Sequence, residues 1–269
     1  MNGMMAAVAG GWLGTILTLA LGVLTGAMSG AFGVGGAIVS TPGVRLLGAS
    51  TFVAVGTTLP SILPGALVGS ARYRREGLID GRILAIAAPG GVVAAVAGSL
   101  ASHAVPGDGH WLMVLTAALL GLTAVRMARA APPADGGESG PRRPAPALSV
   151  VAIGVVAGLL SGLLGVGGGL VLVPGFSEVL GLRLKAAIAT SLACVGILAL
   201  PGTLTHAVLG DIDWRLALLL TVGAVPGVRL GAAAALATGD RRLRLAVAVG
   251  LGLVALLYGG GELAALLSA

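Results

Sequence analysis

The sequence predicts an all-α fold: a polytopic transmembrane helical bundle built from two homologous repeats with glycine-rich broken or re-entrant helices. Three observations carry this. Hydrophobic residues make up 57% of the chain and charged ones 10%, with a mean hydropathy of +1.04; a soluble domain carries about 25% charged residues. Five charge-free stretches, residues 1–44, 46–71, 83–107, 144–177 and 186–210, are each long enough for one bilayer crossing of roughly 20 residues. A glycine-rich sentence also occurs twice, 132 residues apart: Gly26-Ala27-Met28-Ser29-Gly30-Ala31-Phe32-Gly33-Val34-Gly35-Gly36 and Gly158-Leu159-Leu160-Ser161-Gly162-Leu163-Leu164-Gly165-Val166-Gly167-Gly168. Carried through Pro42-Gly43 and Pro174-Gly175, 10 of 18 aligned positions are identical.

In order along the chain, the first repeat holds apolar segments at 12–32 with a continuation at 36–47, then 51–71, 82–102 and 111–127. The second holds 148–164 with 168–180, then 185–207, 214–237 and 243–267. Helices are expected, because in lipid only helices and closed barrels satisfy the backbone, and no segment shows barrel-type alternation. Glycine is poor inside a helix, so each glycine cluster breaks its segment. With one residue inserted, the duplication continues at an offset of 133: Thr57-Thr58 matches Thr190-Ser191, Gly69 matches Gly202, Asp80 matches Asp213 and Gly98 matches Gly231. The domains are therefore a first membrane repeat at 1–129, a Pro/Gly-rich linker at 130–147 and a second repeat at 148–269. No Lys or Arg precedes Arg45, so the first apolar segment lacks a basic signal-peptide region and is expected to stay as a membrane helix.

Cations test the topology. With four crossings per repeat and the linker inside, nine Lys/Arg lie inside and six outside. With each glycine motif at the tip of a re-entrant hairpin and three crossings, thirteen lie on the linker side, only Arg45 and Arg215 lie opposite, and Arg229 lies in the membrane. The second split is the stronger positive-inside bias and makes the repeats inverted; the long apolar arm before the glycines keeps the first arrangement open.

The net charge of +6 sits at segment ends, which marks topology rather than nucleic-acid binding. The only cysteine, Cys194, excludes an internal disulfide and a thiolate metal site. No nucleophile–base pair, metal cluster or cofactor motif is found, so no enzyme is expected.

The Gly-Val-Gly-Gly runs are the first candidates for a site. Broken helices in matching places of two halves mark transporter sites, and a half-helix N-terminus attracts anions. Close helix packing is the competing explanation. The substrate-binding candidates are Ser29, Gly33, Gly35 and Gly36, with Ser161, Gly165, Gly167, Gly168 and Gly169. Thr57, Thr58, Thr190 and Ser191 add hydroxyl donors, against back-bonding to their own helices. Arg229, an arginine within a membrane segment, is the last; its counterpart Val96 is neutral. Asp80 and Asp213 read as helix N-caps, Tyr73 and His206 as membrane-interface anchors, and Glu178 lies near enough to the second motif to be weighed as a coupling-ion ligand.

The doubled Gly-x-x-Ser-Gly-x-x-Gly-Val-Gly-Gly pattern, followed by Ala-x-x-Thr-Ser-type segments and Gly-x-x-Asp, resembles the sulfite exporter TauE/SafE family of bacterial membrane transporters. The resemblance covers the chain apart from the linker. It implies an inner-membrane permease for oxidised sulfur anions such as sulfite or sulfonates, with Gly33, Gly35, Gly36, Gly165, Gly167, Gly168 and Gly169 in the motif and Thr57, Thr58, Thr190 and Ser191 beside it. The chain departs from the pattern at Ala37, where a third glycine is common. Pro60 and Pro64 also stand where the second half has Ala193 and Ile197.

The expected function is a multi-pass inner-membrane secondary transporter of a small anion, a sulfur oxyanion or organosulfonate, by alternating access. A non-transport scaffold or subunit of a larger membrane complex is the alternative. The partners in view are the anion, the lipid bilayer, a coupling H+ or Na+ and a homo-oligomer, with no nucleic acid, no metal and no cofactor.

Overall fold

The computed structural model describes residues 11–102, 110–129, 146–165 and 167–267. Ten α-helices run through them: α1 (Trp12–Phe32), α2 (Ala37–Leu46), α3 (Thr51–Arg75), α4 (Gly81–Ser102), α5 (His110–Arg129), α6 (Ala147–Leu164), α7 (Gly169–Pro174), α8 (Leu184–Leu209), α9 (Trp214–Ala237) and α10 (Asp240–Leu267). Among the described residues there are no strands. The linker expected at 130–147 lies, up to residue 145, outside the described residues.

The bounds of α1 and α9 coincide with the apolar segments, whereas α3 runs on to Arg75. Hydropathy stops at the first charge but a helix does not: Arg72, Arg74 and Arg75 are good helix formers and suit its negative C-terminal end. The segment expected as one helix at 168–180 divides instead. Pro174 has no N–H to give, and the chain widens into a π turn over Gly175–Val179, with the Leu180 N–H on the Gly175 carbonyl at 3.1 Å. Both aspartates cap as expected. Asp213 accepts from the Leu216 N–H at 3.1 Å, and Asp80 from the Arg82 and Ile83 N–H groups at 3.0 Å each.

Among the described residues, six helices are long and apolar enough to cross a membrane: α1, α3, α4, α6, α8 and α9. The apolar stretches of α3 and α8 are 61% and 67% buried against 39% for α1, α4 and α6, so α3 and α8 form the centre and the others present a face to lipid. α3 and α8 run antiparallel, Gly69 against Leu192, Ala66 against Gly196 and Leu59 against Gly202.

The outer pairs join the two halves. Gly22, Gly26 and Gly30 of α1 press on the backbone of Leu220, Ala224 and Val228 of α9, and Gly154, Gly158 and Gly162 of α6 on that of Ala87, Gly91 and Ala95 of α4. The two trios differ by 132 and their partners by 133. Both pairs run parallel, with Gly98, Gly223, Gly227 and Gly231 completing the contact. Without a hydrophobic drive in lipid, this van der Waals contact between bare backbones is what holds such helices together.

Each glycine cluster turns the chain back on itself. After α1, Gly36 lies against Thr25 and Ser29, and Gly43 against Leu21 one turn earlier, so α2 descends along α1. After α6, Gly168 lies against Ala157 and Gly175 against Ile153, so α7 descends along α6.

Candidate functional site

Both turns depend on left-handed backbone. Gly33 has φ 70°, Gly35 87° and Gly36 71°; Gly165 has 66°, Gly167 80° and Gly168 69°. A side chain in this region costs about 1–2 kcal/mol per residue, so the geometry demands three glycines per turn. Gly33 and Gly165 end their helices by donating to the Ser29 and Ser161 carbonyls at 2.8 and 2.9 Å. Gly36 and Gly168 then begin α2 and α7 as N-caps without any capping side chain.

The turns meet each other at the centre of the bundle. A Cβ at Gly169 would sit within 3.0 Å of the Val34 carbonyl carbon and the Gly33 carbonyl oxygen, and a Cβ at Gly167 would lie 3.8 Å from the Gly35 Cα. Every described residue of both turns is buried. Gly33 rests on the Ile188 backbone of α8, and Gly165 on Val55 of α3. Two helix N-termini thus converge in an interior bounded by the two central helices.

Polar groups are left over there. Among the described residues, the backbone N–H groups of Val34, Gly35, Gly36 and Gly168 donate to no protein acceptor. The hydroxyls of Thr25 and Ser161, 3% and 1% exposed, are also without a partner among the described residues. Buried orphan donors are rare because each costs about 1–3 kcal/mol. Clustered at two helix N-termini, they are suited to an anion's oxygens.

The candidate hydroxyls divide into two kinds. Ser191 donates to the Gly33 carbonyl at 2.8 Å, and Thr58 donates to the Val55 carbonyl at 3.0 Å while lying 3.1 Å from the Thr41 hydroxyl of α2. These tie the first turn and its returning helix to α8 and α3. Thr57 accepts from the Asp213 N–H at 2.9 Å and Thr190 from the Asp80 N–H at 3.0 Å, each pinning the start of a helix from the other half. Each of these two hydroxyls still has its own O–H to donate. Ser29 is buried beside Gly36.

Arg229 is not brought to the turns. It is exposed and lines a groove with Arg72 and Arg75 on the flank of α3 and α9. Tyr73 and His206 are not interface anchors: both are fully buried. Tyr73 donates to the Gly30 carbonyl at 2.6 Å, and His206 Nδ1 lies 2.9 Å from Asp211 Oδ2. Tyr73 thereby reaches the glycine-packed face of α1 and His206 the loop that leads into α9, where the sequence places them only at a helix end. Glu178 is held by Arg126 at 2.8 Å. Thr25 and Thr41 escaped the sequence reading. For Thr25 the signal was present: it shares the helix face of Gly22, Gly26 and Ser29 at spacings of three and four.

A family model described as sulfite exporter TauE/SafE matches residues 18–258. Among curated proteins, a probable membrane transporter protein of Xylella fastidiosa (strain 9a5c) is 28% identical over 80% of this chain and 83% of its own length. The probable membrane transporter proteins YunE and YjnA of Bacillus subtilis (strain 168) are 29% and 27% identical, each over 81% of this chain and over 87% and 89% of their own lengths. No solved structure matches.

Proposed function

Because the chain belongs to the sulfite exporter TauE/SafE family of membrane transporters, we propose that it carries a small anion, a sulfur oxyanion or organosulfonate, across the bacterial inner membrane by alternating access. The observation that carries this reading is the meeting of two glycine turns at which four buried amides and two hydroxyls have no acceptor among the described residues. A site made of backbone dipoles and hydroxyls stabilises a negative charge without a fixed cation, so the empty carrier can return through the membrane without an unpaired buried charge. The substrate-binding set is Gly33, Gly35, Gly36, Gly165, Gly167, Gly168 and Gly169 with Ser29, Ser161, Thr57, Thr58, Thr190 and Ser191; Thr25 joins it. Arg229 belongs to a different place.

The architecture we propose for this is two inverted repeats, residues 1–129 and 148–269, joined by the linker, with α1–α2 and α6–α7 as re-entrant hairpins. It is supported by the matching offsets of 132 and 133 between the two glycine-packed pairs, by α2 and α7 running back along their predecessors, and by the antiparallel α3 and α8. Alternating access then follows from the hairpins parting from α3 and α8 first at one face and then at the other.

Purified protein in liposomes tests the transport reading. We expect saturable uptake of at least one of sulfite, thiosulfate, sulfoacetate or taurine, and absence of flux for all of them and for sulfate would favour a scaffold. A labelling experiment tests the topology. On a Cys194→Ala background, Ala49→Cys should react from the outside and Arg183→Cys only from the cytoplasm, in line with the cation split. Reaction of both from the same side would overturn the inverted arrangement.

A further inference from the structure

The flank of α3 and α9 carries a groove of about 370 Å³ lined by Arg72, Arg75 and Arg229 with Val68, Ala71 and Ala233. The helices run parallel here, Gly56 lying against Asp211 just before α9 and Gly65 and Gly69 against Val228, so Arg229, in the C-terminal half of a spanning helix, lies toward the C-terminal end of α3. It lies eight residues before Ala237, about 12 Å along the helix axis. Among the described residues Arg229 and Arg75 make no ion pair or hydrogen bond, and Arg72 has only Glu76 at 3.8 Å, both half-exposed. An arginine at such depth facing lipid is costly unless something anionic meets it. Leu67 and Leu230 beside it are 73% and 66% exposed, so the surroundings are an acyl-chain surface.

The duplication supplies an internal comparison. Shifting the three arginines by 133 gives Thr205, Val208 and Val96 at the other end of the bundle. Val208 and Val96 are themselves 88% and 36% exposed, on a surface that also presents Leu204 and Leu100. The equivalent positions are therefore uncharged. Ordinary packing of this fold does not need the arginines; they occur only at the end that gathers thirteen of the cations, where the cytoplasmic leaflet's anionic headgroups lie.

From these observations we infer that the groove binds an anionic phospholipid of the cytoplasmic leaflet, its phosphate held among the guanidinium groups of Arg72, Arg75 and Arg229 and an acyl chain lying over Val68, Ala71 and Ala233. Guanidinium forks match phosphate oxygens in pairs, and the three converge on one volume. The inference rests on the proposed inverted arrangement, which puts the C-terminal ends of α3 and α9 at the cytoplasmic face, and not on which anion is transported, so the lipid measurement stands or falls separately from the site at the glycine turns.

Native mass spectrometry of the full-length protein, delipidated and then offered phosphatidylglycerol or phosphatidylcholine, reads it directly. We expect phosphatidylglycerol to be retained preferentially, and Arg72→Gln, Arg75→Gln and Arg229→Gln each to weaken retention roughly fivefold, the three together on the order of a hundredfold. Arg229→Lys keeps the charge without the fork and should fall between wild type and Arg229→Gln. Equal retention of the two lipids by the wild-type protein would overturn the proposal without any variant being needed. So would unchanged retention in a triple variant that elutes as a monodisperse peak. Inorganic phosphate at millimolar concentration should not displace the lipid; displacement would make this a soluble-anion site instead.

Discussion

Valine at Gly26 or at Gly158 prevents the folded protein from accumulating in the membrane. A Cβ at Gly26 would overlap the Ala224 carbonyl oxygen and lie 2.8 Å from the Ala224 Cα; at Gly158 it would overlap the Gly91 carbonyl oxygen and lie 2.7 Å from the Gly91 Cα. These are backbone atoms of a rigid helix and cannot swing aside as a side-chain end can. The helices must part along their whole length, and the other glycines of each trio then lose their contacts too. Overpacking of a core costs about 1–3 kcal/mol when side chains absorb it. Here nothing absorbs it, and the loss is a large fraction of a total stability of about 5–15 kcal/mol. Size-exclusion profiles of fluorescent fusions measure the outcome. Gly81→Ala and Gly239→Ala are the controls, because a Cβ there meets nothing within 4 Å. Wild-type profiles for Gly26→Val and Gly158→Val would remove the glycine contact as the force holding these pairs.

Leucine at Gly167 abolishes flux and leaves a folded protein. The neighbours of a Cβ at this position are the side-chain ends Val195 Cγ1 at 3.1 Å and Ile62 Cδ1 at 3.4 Å, with the Gly35 Cα at 3.8 Å. Those side chains can yield, so the remaining penalty is the left-handed backbone, about 1–2 kcal/mol. The new side chain, however, stands between the two turns and blocks an anion from their N–H groups. Alanine at the same place should reduce flux at least tenfold for the same reason, a loss of about 1.4 kcal/mol of substrate stabilisation or more. Gly169→Ala serves as the contrast: its Cβ meets Val34 backbone, so folding and flux fail together. Transport in liposomes, normalised to monodisperse protein, decides between these outcomes. Full activity of Gly167→Leu would leave the paired turns a packing device only.

The sequence alone determined what depends on local solvent preference and local backbone. Charge-free apolar stretches dictate helices in a bilayer, because no other open structure satisfies the backbone there. The ends of α1 and α9 were legible to the residue. The glycine breaks were legible because positive φ is a property of one residue at a time, and the aspartate caps because their partners lie two or three residues on. The internal repeat also told which positions correspond.

It did not tell which helix packs on which. Gly22, Gly26 and Gly30 announce a close approach but carry no address, since any small-residue face in the chain would fit them; only the folded chain selects α9 in the other half. For the same reason Thr57 and Thr190, read as donors toward a ligand, are found accepting from Asp213 and Asp80 more than 100 residues away. Tyr73 and His206 looked like interface residues because each stands near a helix end, and neighbouring helices bury them. Arg229 looked like part of the central site because hydropathy gives depth in the membrane but not direction around the helix. Direction is fixed by which face the neighbours occupy. α1 and α3 cover the Gly223, Gly227, Val228 and Gly231 side of α9, and that leaves Arg229 facing outward beside Arg72 and Arg75.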